Sequence, residues 1–373
     1  MARISASTRA GVALFVFSVG LSGPGEAGQQ PQSGRDLYLN ACAACHGPDG
    51  KGMPRSIVGF DIALPDLTRC SFATPEADAD WFAVAHSGGA VRAFDRRMPA
   101  FGEALNNEQL TSVIRHIRTF CTDKAWPRGE LNMPRALLTE KAFPENEALL
   151  TVAASGDAAT TSIIYERRLG ARSQFELVAP VAFSETDLGG WRTGVGDLAI
   201  AGKHVLFHSV GRGSVGRGSI VSVAGEVSFP TGDEDDDLGS GVTKFEPFVS
   251  YGQLLPRDSF FQFQGGIELS SDSERAPHEG FWRAAIGRTF FEPNFGRAWT
   301  PMLEVVAARE VEDDASVAWD VVPQLQVSLS RRQHVLLNVG VQIPVNGRQD
   351  RPTRVLCYLL WDWFDGGFLS GWR

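Results

Sequence analysis

Two periodicities divide the chain. Leu110, Val113, Ile114, Ile117 and Phe120 recur at helical spacing, which predicts an amphipathic helix over residues 107–120. Asn106 or Asn107 could cap it, with acidic Glu108 in the first turn. Residues 34–44 read as an earlier helix that offers Leu37 and Tyr38 to a core. Residues 75–87 read as another, with Trp81, Phe82 and Val84 apolar. From about residue 148 onward the period becomes two. Phe261, Phe263, Ile267 and Leu269 alternate with Gln262, Gln264 and Glu268; Val335, Leu337, Val339 and Val341 alternate with Asn338, Gly340 and Gln342. About twelve strands follow, near 148–155, 159–169, 173–183, 196–209, 217–230, 241–253, 258–270, 280–291, 298–310, 316–329, 334–345 and 352–364. Between the two regions, residues 122–147 carry Pro127, Pro134 and Pro144 among mixed charges. These prolines break any long helix and predict an extended tether wrapped over both domains, with no chemistry of its own.

Alternation alone suits any half-buried sheet, a soluble sandwich included. Several of these strands exceed the soluble mean of about five or six residues. Connections near 170–172, 254–257 and 330–333 are tight, whereas those near 184–195, 230–240, 271–279 and 311–315 are longer and mostly acidic. Short turns at one end and long loops at the other is the pattern of an outer-membrane barrel, and an even strand count puts both chain ends on the periplasmic side. The loop near 209–217 is longer than that rule would have it. Aromatics near strand ends, among them Phe260, Trp282, Phe290, Trp299 and Trp361, would form girdles at the membrane interfaces; in a sandwich they would pack the core. The last strand, near 355–364, is aromatic-rich like a barrel's terminal strand, although the chain runs on to Arg373. Glu176, Asp197, Lys203, Glu226, Glu246, Glu268, Arg283, Glu304 and Asp320 fall on polar strand faces and would line the lumen, as a salt-bridged plug or a narrow polar pore. The acidic run 233–237 reads as a solvated loop, with a divalent-cation site as the alternative.

The chemistry lies in the helical region. Cys42-Ala43-Ala44-Cys45-His46 has the spacing that attaches a c-type haem: two thiols for the vinyl groups and a histidine for the iron. A zinc site would need a second such pair, and a thioredoxin-type dithiol a βαβ context; neither is apparent. A glycine-rich loop, residues 47–52, follows. Cys70 and Cys121 bracket the rest of the region, and an exported disulfide between them competes with two buried thiols. Cys357 is left as a packed apolar side chain.

The opening of the chain agrees with export. Arg3 and Arg9 precede an apolar run at residues 12–19, and residues 25–27 offer a small-x-small site, so residues 1–27 read as a signal peptide. A length of 373 residues suggests two domains, and a net charge of −9 argues against nucleic acid as a partner.

Residues 33–121 resemble a class I c-type cytochrome domain. In order they show an N-terminal helix, the Cys42–His46 motif followed by Gly47, Pro65-Asp66-Leu67, then Met98-Pro99-Ala100-Phe101-Gly102 and a closing helix. In that family the methionine of the Met-Pro segment is the distal iron ligand, which maps here onto Met98. His86 is the alternative, giving a bis-histidine haem of lower potential. Met53 is too close to Cys45, Met133 lies in the linker, and His116 reads as a surface residue. Gly194-Val195-Gly196-Asp197-Leu198 with Phe229-Pro230-Thr231-Gly232-Asp233 resembles the outer-membrane barrel family named for the phenol meta-degradation pathway.

The expected fold is therefore an all-α class I cytochrome c domain (33–121), a linker (122–147) and an all-β antiparallel outer-membrane barrel (148–373). Cys42, Cys45, His46 and Met98 would bind one covalent haem c, with His46 and Met98 as axial ligands. An iron ligated on both faces favours electron transfer, with a periplasmic donor or acceptor as partner and outer-membrane lipid around the barrel. Two alternatives stand beside this. One is a fused cytochrome–porin passing electrons across the membrane, for example from Fe(II), although a twelve-strand lumen is narrow for a cytochrome domain. The other is a small-solute channel with a cytochrome module.

Overall fold

The computed structural model describes residues 32–363 and 369, apart from 157, 186–189, 212–216, 237, 313 and 350. The expected signal peptide, and Phe364 at the end of the expected last strand, lie outside the described residues.

Six helices build the N-terminal region: α1 (Gly34–Ala41), α2 (Ala43–His46), α3 (Arg55–Val58), α4 (Cys70–Ala73), α5 (Asp78–Ser87) and α6 (Asn107–Ile117). Both long-range partners, α1 and α6, open on capping boxes, Ser33 with Asp36 and Asn106 with Gln109. Leu37, Tyr38 and Val113 are the buried centre of their packing, with Leu105, Ile117 and Phe120 around them. At the crossing, a Cβ on Gly34 would lie 2.1 Å from the Ser112 carbonyl oxygen, so only glycine lets the two backbones meet. A disulfide joins Cys70 to Cys121 across a sequence separation of 51, with the Cα atoms 5.1 Å apart. The expected helix over 34–44 breaks at Cys42, and the second starts at Asp78 because Ala77 is extended.

Twelve long strands follow: β1 (Glu147–Ala154), β2 (Ala158–Leu169), β3 (Ser173–Glu185), β4 (Ala199–Val210), β5 (Gly218–Ser228), β6 (Lys244–Leu255), β7 (Ser259–Ser270), β8 (Glu279–Arg288), β9 (Ala298–Glu310), β10 (Ala318–Ser328), β11 (Val335–Pro344) and β12 (Arg354–Asp362). Each pairs antiparallel with the next. The first and last pair from Glu147↔Asp362 to Ala154↔Val355, which closes the barrel and leaves no long edge. Two short strands are additional: Trp191–Val195 folds back on β3, and Phe290–Phe291 lies beside β9.

The barrel is apolar outside and polar inside. Glu166, Glu304 and Asn338 have 0% exposure, while Ile163 at 58% and Ile286 at 52% face outward. A soluble sandwich would bury those isoleucines and expose the glutamates. This is the pattern of a membrane-spanning barrel, whose strands of about ten tilted residues cross an apolar band about 25 Å tall. Among the described residues, no helix is long and apolar enough to cross a membrane.

The linker does not wrap over the outside. Residues 131–145 enter the lumen, where Leu131, Met133 and Phe143 pack with Val205, Ile220, Phe260 and Met302. Arg135 pairs with Glu147 at 3.1 Å, with Glu166 at 2.5 Å and with Glu140. Lys141 pairs with Glu145 at 2.7 Å and Glu147 at 3.3 Å. Glu304 accepts from the backbone N–H groups of Leu137, Leu138 and Thr139. The Arg135 carbonyl accepts from the Tyr358 hydroxyl at 2.6 Å. The prolines do keep this segment out of a helix. Its unpaired backbone groups and charges then require polar partners, and the lumen wall supplies them. Around residues 131–145 the charges thus form a salt-bridged plug, in which Lys203 of the wall also meets Glu140 at 3.6 Å. Asp197 does not line the lumen: it sits in a loop and accepts from Ser240 and the Gly232 N–H. In the acidic run, Glu234 pairs with Arg275 and Asp236 with Arg192.

The helical region sits at the end of the barrel that carries the turns at 170–172, 256–258 and 329–334. Arg172 donates to the Ala125 carbonyl there, and Arg92 to that of Phe295 at 2.6 Å.

Candidate cofactor site

The local fold gathers the motif onto one turn. Cys42 closes α1 through its N–H to the Tyr38 carbonyl at 2.9 Å. The N–H groups of Cys45 and His46 return to the Cys42 carbonyl at 3.2 and 2.9 Å. The glycine loop then doubles back: Gly52 donates to His46 at 2.8 Å, and Met53 to Cys45 at 2.8 Å. The Tyr38 hydroxyl donates to the Gly47 carbonyl at 2.6 Å and fixes the start of that loop.

Cys42, Cys45 and His46 line a cavity of about 300 Å³, and so does Met98. Leu67, Phe72, Trp81, Leu110 and Ile114 make much of the remaining wall. Met98 is delivered by a tight loop. Its N–H donates to the Asp95 carbonyl at 3.2 Å, and its carbonyl accepts from Gly89 at 3.0 Å. A Cβ on Gly89 would fall 2.3 Å from the Asp95 oxygen and 3.1 Å from the Met98 Cβ, so the Gly88-Gly89 pair is what lets the methionine loop lie against α5. His86 is packed elsewhere, with ring centroids 5.7 Å from Phe82 and 5.3 Å from Phe295. His116 packs edge-on against Tyr38 and Phe120. Met133 is in the plug, and Met53 directly follows the glycine loop.

Burial lowers the His46 pKa, which favours the neutral imidazole that binds iron. Its Nδ1 is buried without a hydrogen-bond partner among the described residues. Burial, with Cys45 beside it, pushes the Cys42 thiol up to about 11. A catalytic dithiol needs a lowered thiol pKa, and the shift at Cys42 runs the other way. Two thiols, a neutral imidazole and a soft thioether around an apolar cavity fit a haem.

Sequence reasoning did not find the charged end of this cavity. Glu76, Asp80 and Arg92 line it, together with Arg332 and His334 from the turn between β10 and β11. Arg92 is buried and donates to Asp80 at 3.1 Å. Burial and the nearby Glu76 carboxylate push Asp80 up to about 7 in spite of Arg92. His334 bonds Glu76 from 258 positions away. No local pattern could have announced that contact.

Residues 29–117 match the family model described as Cytochrome C oxidase, cbb3-type, subunit III. Among curated proteins, none matches the chain. Among solved structures, the chain is similar to the NanC porin, at 9% identity over 58% of this chain and 98% of that one with a TM-score of 0.40. It is also similar to the KdgM porin in complex with disordered oligogalacturonate, at 10% identity over 58% and 99% with a TM-score of 0.37. A third is the COG4313 outer membrane channel from Pseudomonas putida F1, at 13% identity over 61% and 99% with a TM-score of 0.42. The family match over residues 29–117 and the strand pairing described above together give a cytochrome c-type domain followed by a closed twelve-stranded β-barrel.

Proposed function

We propose that this protein is an electron-transfer cytochrome anchored in the outer membrane. One haem is bound covalently through Cys42 and Cys45, with His46 and Met98 as the axial ligands. The haem supplies a one-electron centre, and the chain's own residues enclose it and set its potential. The observation that carries this reading is the apolar cavity that has Cys42, Cys45, His46 and Met98 together in its wall. Ligation from both faces leaves no open position for substrate, which favours electron transfer over catalysis. The cytochrome domain sits at the short-turn end of the barrel. In outer-membrane barrels that end faces the periplasm, so the electron partner is a periplasmic donor or acceptor.

The barrel acts as an anchor rather than a conduit. Its lumen is filled by residues 131–145, held by Arg135, Lys141 and Glu304. This filling counts against both a small-solute channel and a porin that sheathes the cytochrome. The test is electrophoresis of outer-membrane fractions with haem staining. A haem-positive band whose migration changes on heating, and whose mass exceeds the polypeptide by one haem, is the expected result. A haem-positive band confined to the soluble periplasm removes the anchor, and a mass without that increment removes the covalent haem.

A further inference from the structure

The cytochrome region alone does not close its own cavity. Part of the wall is Arg332 and His334, both on the barrel turn between β10 and β11. Arg332 holds its guanidinium 4.4 Å from the ring centroid of Phe94, a residue of the methionine loop. His334 is buried between two carboxylates: its Nε2 lies 2.9 Å from Glu76 Oε1 and its Nδ1 lies 3.0 Å from Asp362 Oδ1. Glu76 belongs to the cytochrome and Asp362 to the end of β12, so this triad fastens the turn to the cavity. A second barrel turn is fastened next to it, where Arg92 donates to the Phe295 carbonyl at 2.6 Å.

A haem carries two propionate carboxylates. A carboxylate withdrawn from bulk water needs cationic or N–H partners. Much of the wall is apolar, and its cationic side chains are Arg92 and Arg97 of the cytochrome and Arg332 and His334 of the barrel turn. A guanidinium presents five N–H donors in a planar fork suited to a carboxylate. We propose that Arg332 completes the haem site from the barrel as a partner of a haem propionate. The Glu76–His334–Asp362 triad is the clamp that holds its turn in place. The inference rests on the haem reading above. It makes the barrel a determinant of the redox potential: a guanidinium beside the propionate cancels negative charge that would otherwise favour ferric iron, so it raises the potential.

The test is a spectroscopic redox titration of the full-length protein in detergent, with Arg332→Gln, Arg332→Lys and Arg331→Gln. Arg331 is the exposed neighbour, so its substitution removes the same formal charge without touching the cavity. The expected result is a lower midpoint potential in R332Q than in R331Q, with R332K close to the wild type and haem content unchanged in all three. A midpoint in R332Q that matches the wild type, or that falls no further than in R331Q, overturns the inference while leaving the haem reading intact. A wild-type protein without haem overturns the haem reading itself.

Discussion

At the scale of single residues, the site divides into groups that the sequence announces and groups that it hides. Cys42, Cys45 and His46 sit on one helical turn, and their spacing alone marks them as candidate haem-attachment residues. Met98 was picked out by its Met-Pro context and lines the same cavity, and the glycine pair beside its loop, Gly88-Gly89, shows its purpose only once the loop is folded against it. Arg332 and His334 carry no local signature, because what makes them part of the site is a contact across the whole fold. Replacing Met98 with Ala should abolish the weak sulfur-to-iron absorption band and lower the reduction potential, since a thioether favours Fe(II). A surviving band in that variant would mean another residue caps the iron. The Cys70–Cys121 disulfide closes a 51-residue separation, which the loop-entropy account values at about 4 kcal/mol. A Cys70→Ser, Cys121→Ser double variant should therefore unfold its haem domain at clearly lower denaturant concentration. Unfolding midpoints indistinguishable from the parent would show the bridge to be energetically idle.

At the scale of elements, period-two alternation located the strands well because lipid and lumen impose opposite demands on successive side chains. Gln262 and Gln264, placed on the polar face by that pattern, are buried inside. The same logic failed for residues 131–145. Their prolines signalled irregular backbone correctly, but irregular backbone is tolerated on a surface or inside a polar cavity alike, and sequence cannot separate the two. Asp197 was misplaced for a related reason, because a carboxylate next to a strand can serve a loop as well as a lumen. Arg135 is the keystone of the plug, with Glu140, Glu147 and Glu166 all paired to it. Glu147 keeps Lys141 and Glu140 keeps Lys203, so Arg135→Ala strips the ion pair from the buried Glu166, at a cost of about 3–5 kcal/mol. The temperature at which the barrel's heat-dependent electrophoretic shift occurs should drop accordingly. An unchanged shift temperature would mean the charges are stabilised by other groups.

At the scale of the whole molecule, the cytochrome and the barrel meet through charged contacts whose strength depends on pH. Burial opposes charge on His334, but the carboxylates of Asp362 and Glu76 outweigh it and hold its pKa well above the usual range. Asp80, Arg92 and Arg332 complete the ionisable surroundings at this end of the cavity. A histidine pKa raised by folding contributes stability that is fully present below its unfolded value of about 6.5 and is lost as pH climbs through the raised folded value. Thermal stability of the docked domains should thus decline from neutral into alkaline pH, and His334→Gln should flatten that decline. Equal slopes in the two proteins would remove His334 as its source. The seam between β1 and β12 has a consequence of another kind. It is zipped over the full length of β1, and the plug immediately precedes β1 in the chain, with the folded cytochrome behind it. Both ends of that plug lie at the cytochrome end of the barrel: Ala125 meets Arg172 there, and Glu147 pairs with Asp362, which meets His334. The plug therefore enters and leaves by a single mouth, so its release would demand only that the helical domain lift off that mouth, with the strand wall left closed.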